Sequence, residues 1–364
     1  MSAWSRVKAF FRRLFGREVA PGRFETGAKF AWQGTLAAAP LVWPRRDYLV
    51  YVPRGWSRWR RSPLIVLCHG CRQTPEGFAD GTRIAAWADA HRTLVLLPRQ
   101  KDQANAWRCW NWFDSRTIDG RGEAAIVAAQ IETVASRYRA DPRRIVVAGM
   151  SAGGALAAVL GVRHPERVRA VVVHSGLACG AASSAMTALA VMKRGPDVDV
   201  EALAQEARLA APPRVLPVPL LAIHGEQDGV VAPRNAVALV RQYLRLNGHA
   251  IVTAETAAAA GAAALPDADA TAVETLPDGR AVTTRDWRVD GRLVVRYVSV
   301  AGLDHAWAGG DAALPFNDAR PPEALALIET FVRAALRRAA RAFSRGSRAS
   351  RAARAARSPR RGGR

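Results

Sequence analysis

The chain has 364 residues, 49 % hydrophobic and 23 % charged, with 53 Lys and Arg against 31 Asp and Glu and a formal net charge of +22. It is long enough to bury a large core, which excludes a wholly disordered chain, and no apolar run approaches the roughly 20 residues of a membrane span. Four cysteines are too few to staple a domain of this size.

Residues 1–23 carry six basic residues and one acid. Within them Trp4, Val7, Phe10, Phe11, Leu14 and Phe15 recur at helical spacing beside Lys8, Arg12 and Arg13. We read a basic amphipathic segment that docks on the domain, with an anionic membrane surface as the alternative. The same basic residues interrupt the apolar centre a signal peptide needs, so a cytoplasmic location is favoured over an extracellular one.

Residues 24–336 form the expected catalytic domain. Apolar, β-branched runs recur at 47–53, 63–70, 93–98, 143–150, 168–176, 217–225 and 293–302, with helix-like stretches at 78–91, 122–139, 152–164, 234–247 and 321–341. The middle runs are apolar on both faces, and their connections are long enough for crossover helices. This predicts an α/β chain with a mostly parallel, doubly wound sheet covered by helices on both faces. The alanine-rich stretch 253–279 reads as a surface insertion, followed by a hairpin turning at Asp290-Gly291.

Residues 337–364 hold eleven arginines and no acid. This tail is too poor in apolar residues to fold alone, and we expect a disordered segment with possible non-specific polyanion contact. The two ends together carry sixteen of the net positive charges, so the body is only mildly basic.

"GMSAG" (149–153) joins the strand "RRIVVAGM" to the helix-like "AGGALAAVLGVRH". A serine on such a sharp strand-to-helix turn is pushed outward, and small neighbours let strand and helix approach. Ser151 is the candidate nucleophile. It needs a base, itself oriented by a carboxylate. Of seven histidines, only His305 lies between the last strand and the last helix, where the chain order Ser, acid, His requires it. Asp228, in the turn after the strand at 217–223, is the leading acid, with Glu226 and Asp304 as rivals. The backbone N–H of Ala152 and that of Cys71, in the loop "HGCRQ", are the expected oxyanion donors. "CHGC" (68–71) has a metal-ligand spacing, but no second pair completes a zinc site. We expect neither metal nor organic cofactor.

The segments "HGCRQ", "ANAWRCWNWF", "GMSAGG", "HGEQD" and "GLDHAWAGG", in this order and spacing, resemble the poly(3-hydroxybutyrate) depolymerase esterases, a family whose relatives include feruloyl and acetylxylan esterases. The resemblance spans roughly residues 45 to 335. It implies an α/β-hydrolase fold and the triad Ser151, Asp228 and His305, on positions already reached above.

Four of the seven residues 107–113 are aromatic, in a loop emerging at the carboxyl edge of the sheet. Trp110, Asn111, Trp112 and His69 are therefore candidate substrate-binding residues, the two tryptophans forming an apolar wall. The other reading of these rings is a mini-core beneath a long loop. A disulfide between Cys71 and Cys109 would staple the wall to the oxyanion loop, although a reducing cytoplasm would oppose it. The expected function is hydrolysis of carboxylic esters through an acyl-enzyme, with hydroxyalkanoate polymers or oligomers favoured as substrate. Feruloyl or acetyl esters, a peptidase of the same fold, and a non-enzymatic polyanion- or granule-binding protein are the alternatives.

Overall fold

The computed structural model describes residues 20–30, 45–211, 217–249 and 265–336. Its strands are β1 (Arg23–Phe30), β2 (Arg45–Val52), β3 (Ser62–Cys68), β4 (Leu94–Pro98), β5 (Ala140–Met150), β6 (Ala170–His174), β7 (Leu220–Gly225), β8 (Ala270–Thr275), β9 (Ala281–Val289), β10 (Arg292–Val300), β11 (Trp307–Ala308) and β12 (Asn317–Asp318). The helices are α1 (Pro75–Thr82), α2 (Ile84–His91), α3 (Ser115–Ile118), α4 (Gly122–Arg137), α5 (Ala152–Arg163), α6 (Ala185–Arg194), α7 (Val200–Ala210), α8 (Arg234–Leu246) and α9 (Ala324–Ala335).

Ten strands form one sheet in the order β1-β2-β4-β3-β5-β6-β7-β10-β9-β8. The six from β4 to β10 run parallel, while β1 and β2 on one side and β9 and β8 on the other are antiparallel. The parallel strands are buried on both faces because alternate residues enter different cores. Leu64, Val66 and Cys68 of β3 pack into one core with α4 and α5, and Ile65 and Leu67 pack into the other with α1, α2 and α9. Such strands must be apolar at every position, which is why their sequences show no alternation.

Three local details depart from expectation. The single helix read at 78–91 is two helices, broken at Arg83, whose backbone is left-handed with φ 55° and whose N–H closes α1 on the carbonyls of Ala79 and Asp80. An edge strand, β1, lies where none was read. Within the stretch 253–279, read as a surface insertion, residues 270–275 form a strand that was not read, β8, an edge strand paired to β9 with every side chain exposed. That exposure removes the apolar pattern by which a strand is recognised in a sequence. Residues 253–264, the amphipathic segment up to residue 19 and the Arg-rich tail 337–364 lie outside the described residues.

Candidate active site

At the carboxyl end of β5 the chain turns sharply into α5. Ser151, the pivot, has φ 56° and ψ −124°, a backbone conformation that costs a non-glycine residue free energy and persists only where its surroundings enforce it. Here the enforcement is close packing. A Cβ on Gly149 would lie 2.3 Å from the Gly153 carbonyl oxygen, and one on Gly153 would lie 2.2 Å from that of Cys68. Only glycine allows strand β3, strand β5 and helix α5 to meet here. The Ser151 N–H is held by the His174 carbonyl at 2.9 Å. Ala152, as first residue of α5, has no intrahelical acceptor for its N–H, and the helix N-terminus favours negative charge at that point.

Asp228 sits in the turn after β7, buried at 4 % exposure. Its Oδ1 accepts from the N–H groups of Val230 at 3.0 Å and Val231 at 2.8 Å, which leaves Oδ2 to accept from His305 Nδ1 at 2.8 Å. Burial pushes the Asp228 carboxyl up, but the hydrogen bond and charge of His305 and the Val231 N–H outweigh it and hold the group below the ordinary aspartate range. The rivals are occupied elsewhere. Glu226 accepts from the Ser299 hydroxyl at 2.5 Å, and Asp304 Oδ1 accepts from the backbone N–H of Gly229 at 3.1 Å and of His305 at 2.7 Å. The geometry joins His305 to Asp228, and among the described residues the Ser151 hydroxyl makes no hydrogen bond, at the carboxyl end of β5 on the same sheet edge.

The loop 69–73 lies against the serine: a Cβ on Gly70 would be 3.4 Å from the Ser151 Cβ. Gly70 N–H donates to Gln73 Oε1 at 2.8 Å and Arg72 N–H to the Trp107 carbonyl at 2.7 Å. Among the described residues the Cys71 N–H between them has no acceptor. Cys71 is disulfide-bonded to Cys109.

Of the four expected substrate-binding side chains, the two tryptophans of the wall are enclosed. Trp110 and Trp112 are 1 % and 3 % exposed. Trp110 Nε1 donates to the His69 carbonyl at 3.0 Å, and Trp112 packs edge-on against Phe113 at 5.7 Å. They form the core beneath the loop, not a wall facing substrate. His69 is equally enclosed: its Nδ1–H donates to the Gly70 carbonyl at 2.8 Å and its Nε2 accepts from Gln100 N–H at 3.2 Å. Burial above all pushes its pKa down to about 4. Asn111 has its amide tied to the Ala104 carbonyl and to Glu123 Oε1, and its side-chain oxygen accepts from Asn105. The exposed ring of this loop is Trp107, 58 % exposed, with the Arg72 guanidinium 4.2 Å above it.

Three residues escaped the sequence reading. Glu123 is buried, accepts from Gln100 Nε2 at 2.5 Å and Asn111 N–H at 2.7 Å, and organises the whole 100–111 loop. His174 and His224 are buried behind the triad candidates, where His224 Nε2 lies 2.8 Å from the Val231 carbonyl and 3.4 Å from Asp228 Oδ2. A histidine ending an apolar strand gives a sequence signal, but not its direction. No group of three or more His, Cys, Asp or Glu among the described residues is placed to hold a metal, and no described helix is long and apolar enough to cross a membrane.

Residues 46–265 match the family model described as esterase PHB depolymerase. The chain is 30 % identical over 200 residues to poly(3-hydroxyalkanoate) depolymerase C of Paucimonas lemoignei, covering 54 % of this chain and 48 % of that one. It is 28 % identical over 196 residues to feruloyl esterase B of Neurospora crassa, covering 52 % and 66 %. The chain thus spans about half to two thirds of the length of these curated relatives. Among solved structures, the acetyl xylan esterase from Aspergillus awamori superposes with a TM-score of 0.61 at 18 % identity, covering 78 % of this chain and 94 % of that one. The fold is that of an α/β hydrolase.

Proposed function

The chain belongs to the esterase PHB depolymerase family, and from that membership we propose that it is a serine esterase hydrolysing carboxylic esters through an acyl-enzyme. The observation that carries the reading is the 2.8 Å bond between His305 Nδ1 and the buried Asp228, at the same sheet edge as a serine held in a strained turn. With Nδ1–H given to Asp228, Nε2 is the free basic nitrogen. Ser151 Oγ attacks the acyl carbonyl as His305 Nε2 takes its proton, and Asp228 stabilises the imidazolium so formed. The N–H groups of Cys71 and Ala152 receive the oxyanion. His305 then protonates the departing alcohol, and water repeats the sequence to release the acid.

Hydroxyalkanoate oligomers or polymers are the favoured substrates, in line with the depolymerase relative, with feruloyl and acetyl esters second. The exposed Trp107 replaces Trp110 and Trp112 as the aromatic surface nearest the oxyanion loop. The Cys71–Cys109 bond supports an oxidising compartment, the extracellular alternative, over the cytoplasm. The Arg-rich residues 337–364 supply non-specific polyanion contact, and their removal is expected to weaken that contact while sparing ester turnover. The function is tested by assaying purified protein and Ser151→Ala on hydroxybutyrate oligomers, feruloyl esters and acetylated xylan. Turnover by the parent, ranked with the oligomers first, and none by Ser151→Ala is expected. Equal turnover by both proteins would overturn the assignment.

A further inference from the structure

Two buried histidines of the sheet bond to the turns that carry the candidate catalytic residues. His174 ends β6, and its carbonyl accepts the Ser151 N–H at 2.9 Å. Its ring Nε2 accepts the Ala308 N–H at 3.2 Å, Nδ1 lies 3.2 Å from the Ser175 hydroxyl, and the ring stacks on Trp307 at 5.1 Å. One residue thus joins the nucleophile's turn, through its backbone, to the segment that carries His305, through its side chain. His224, in β7, does the same for the acid. Its Nε2 reaches the Val231 carbonyl at 2.8 Å and Asp228 Oδ2 at 3.4 Å, closing the turn whose N–H groups hold Asp228 Oδ1.

The tautomers follow from the partners. A carbonyl can only accept, so His224 Nε2 carries the proton. A backbone N–H can only donate, so His174 Nε2 is bare and its proton sits on Nδ1. Each ring therefore uses one specific nitrogen on the backbone of a catalytic turn, which an apolar core residue of the same size would not do. Neither gains from a charge there. Burial above all pushes His174 down to about 3, and burial also lowers His224. A cationic His224 would compete with the His305 imidazolium for Asp228, whereas a neutral one gives its Nε2–H to the Val231 carbonyl and adds no charge.

We propose that His174 and His224 are the positioning residues of this site, two buried imidazoles that fix His305 and Asp228 relative to Ser151 without exchanging a proton with substrate. The proposal rests on the serine-esterase reading above. Catalytic geometry tolerates little drift, since a displacement of about 1 Å can cost on the order of 100-fold in rate.

The test compares His174→Phe and His224→Phe, which keep a ring but no nitrogen, with His174→Gln and His224→Gln, whose amide supplies the missing acceptor or donor. Full-length proteins are assayed on p-nitrophenyl acetate for kcat and KM well below each Tm. Each phenylalanine variant is expected to lose about 10- to 100-fold in kcat with KM changed less than about two-fold, and each glutamine variant to recover most of that loss. Phenylalanine variants with parental kcat, or glutamine and phenylalanine variants impaired equally, would overturn the proposal. If a phenylalanine variant does not fold, the leucine variant takes its place in the same comparison. Ser151→Ala serves as the control: if it remains active the esterase reading fails, and if it is inactive while the phenylalanine variants are unimpaired only the positioning role fails.

Discussion

On one side of Ser151, the loop between β4 and α3 is held by a covalent bond, Cys71–Cys109, and by the buried Glu123 carboxylate with its ring of amide donors. On the other side, the turns carrying Asp228 and His305 have no covalent tie among the described residues and are held by the buried Val231, Leu303 and Trp307 and by hydrogen bonds, many of them to their own backbone or to an imidazole. In the proposed mechanism the first region holds, through that bond, the loop whose Cys71 N–H receives the oxyanion, and it needs no movement. In the same mechanism the second passes a proton and accommodates a transient charge on His305, and bonds of order 1 kcal/mol each fix orientation while leaving room for that. Removing parts of the first region should therefore cost stability before chemistry, and removing parts of the second should cost chemistry before stability.

The largest expected effect is on the second side. Asp228→Asn keeps the shape of the turn but offers a donor where His305 Nδ1–H needs an acceptor, favouring the wrong tautomer. Turnover is expected to fall by on the order of 10⁴, with Tm changed by only a few degrees, as read by ester hydrolysis and thermal melting. A variant that retained more than a tenth of parental kcat would remove Asp228 from the mechanism. Next comes the aromatic core of the first side. Trp112→Ala empties a site that is 3 % exposed and should cost about 3–5 kcal/mol in urea unfolding, whereas Trp107→Ala should leave the unfolding midpoint alone and raise KM for hydroxybutyrate oligomers. The reverse pattern, stability unchanged and only long-chain esters affected in Trp112→Ala, would restore the wall.

These contrasts also separate what the sequence discloses from what it withholds. The strained serine turn was legible because the two glycines that permit it stand in the motif itself, and the Asp228–His305 pair was reachable because chain order and strand ends restrict the choices. The orientation of Trp110, Trp112 and His69 was not legible. Aromatic density marks a loop as needing support, but whether the rings face inward or outward depends on Glu123, a residue ten or more positions away. Strand β8 was hidden for the opposite reason, since an edge strand with exposed side chains has no core to impose alternation. The buried histidines show a further limit: a strand-terminal His looks the same in sequence whether it moves protons or holds a backbone.

A smaller effect is expected from the covalent tie. Cys71→Ser with Cys109→Ser opens a loop of 38 residues and should cost about 2–4 kcal/mol, while the rate on p-nitrophenyl acetate, extrapolated to the folded fraction, falls less than in Asp228→Asn. A loss of rate matching that of Asp228→Asn would mean that the oxyanion loop is not fixed by its hydrogen bonds and needs the disulfide for its chemistry.

The smallest effect concerns pH and the anchor His69. Its pKa of about 4 in the fold, against an ordinary 6.5, means that between these values the unfolded chain binds a proton the folded chain refuses. The sign is fixed by linkage: the contribution of His69 to stability is fully present above pH 6.5 and is lost progressively as pH falls toward 4. His69→Gln, which can still give one hydrogen bond and accept another, has nothing to titrate there. Its urea midpoint should decline less than that of the parent between pH 7 and about 4.5. Because His174 and His224 remain in both proteins, the difference between the two slopes isolates His69. Equal slopes would mean that its ring is not held neutral, and the loop on that side of Ser151 would then have to be fixed by Glu123 and the disulfide alone.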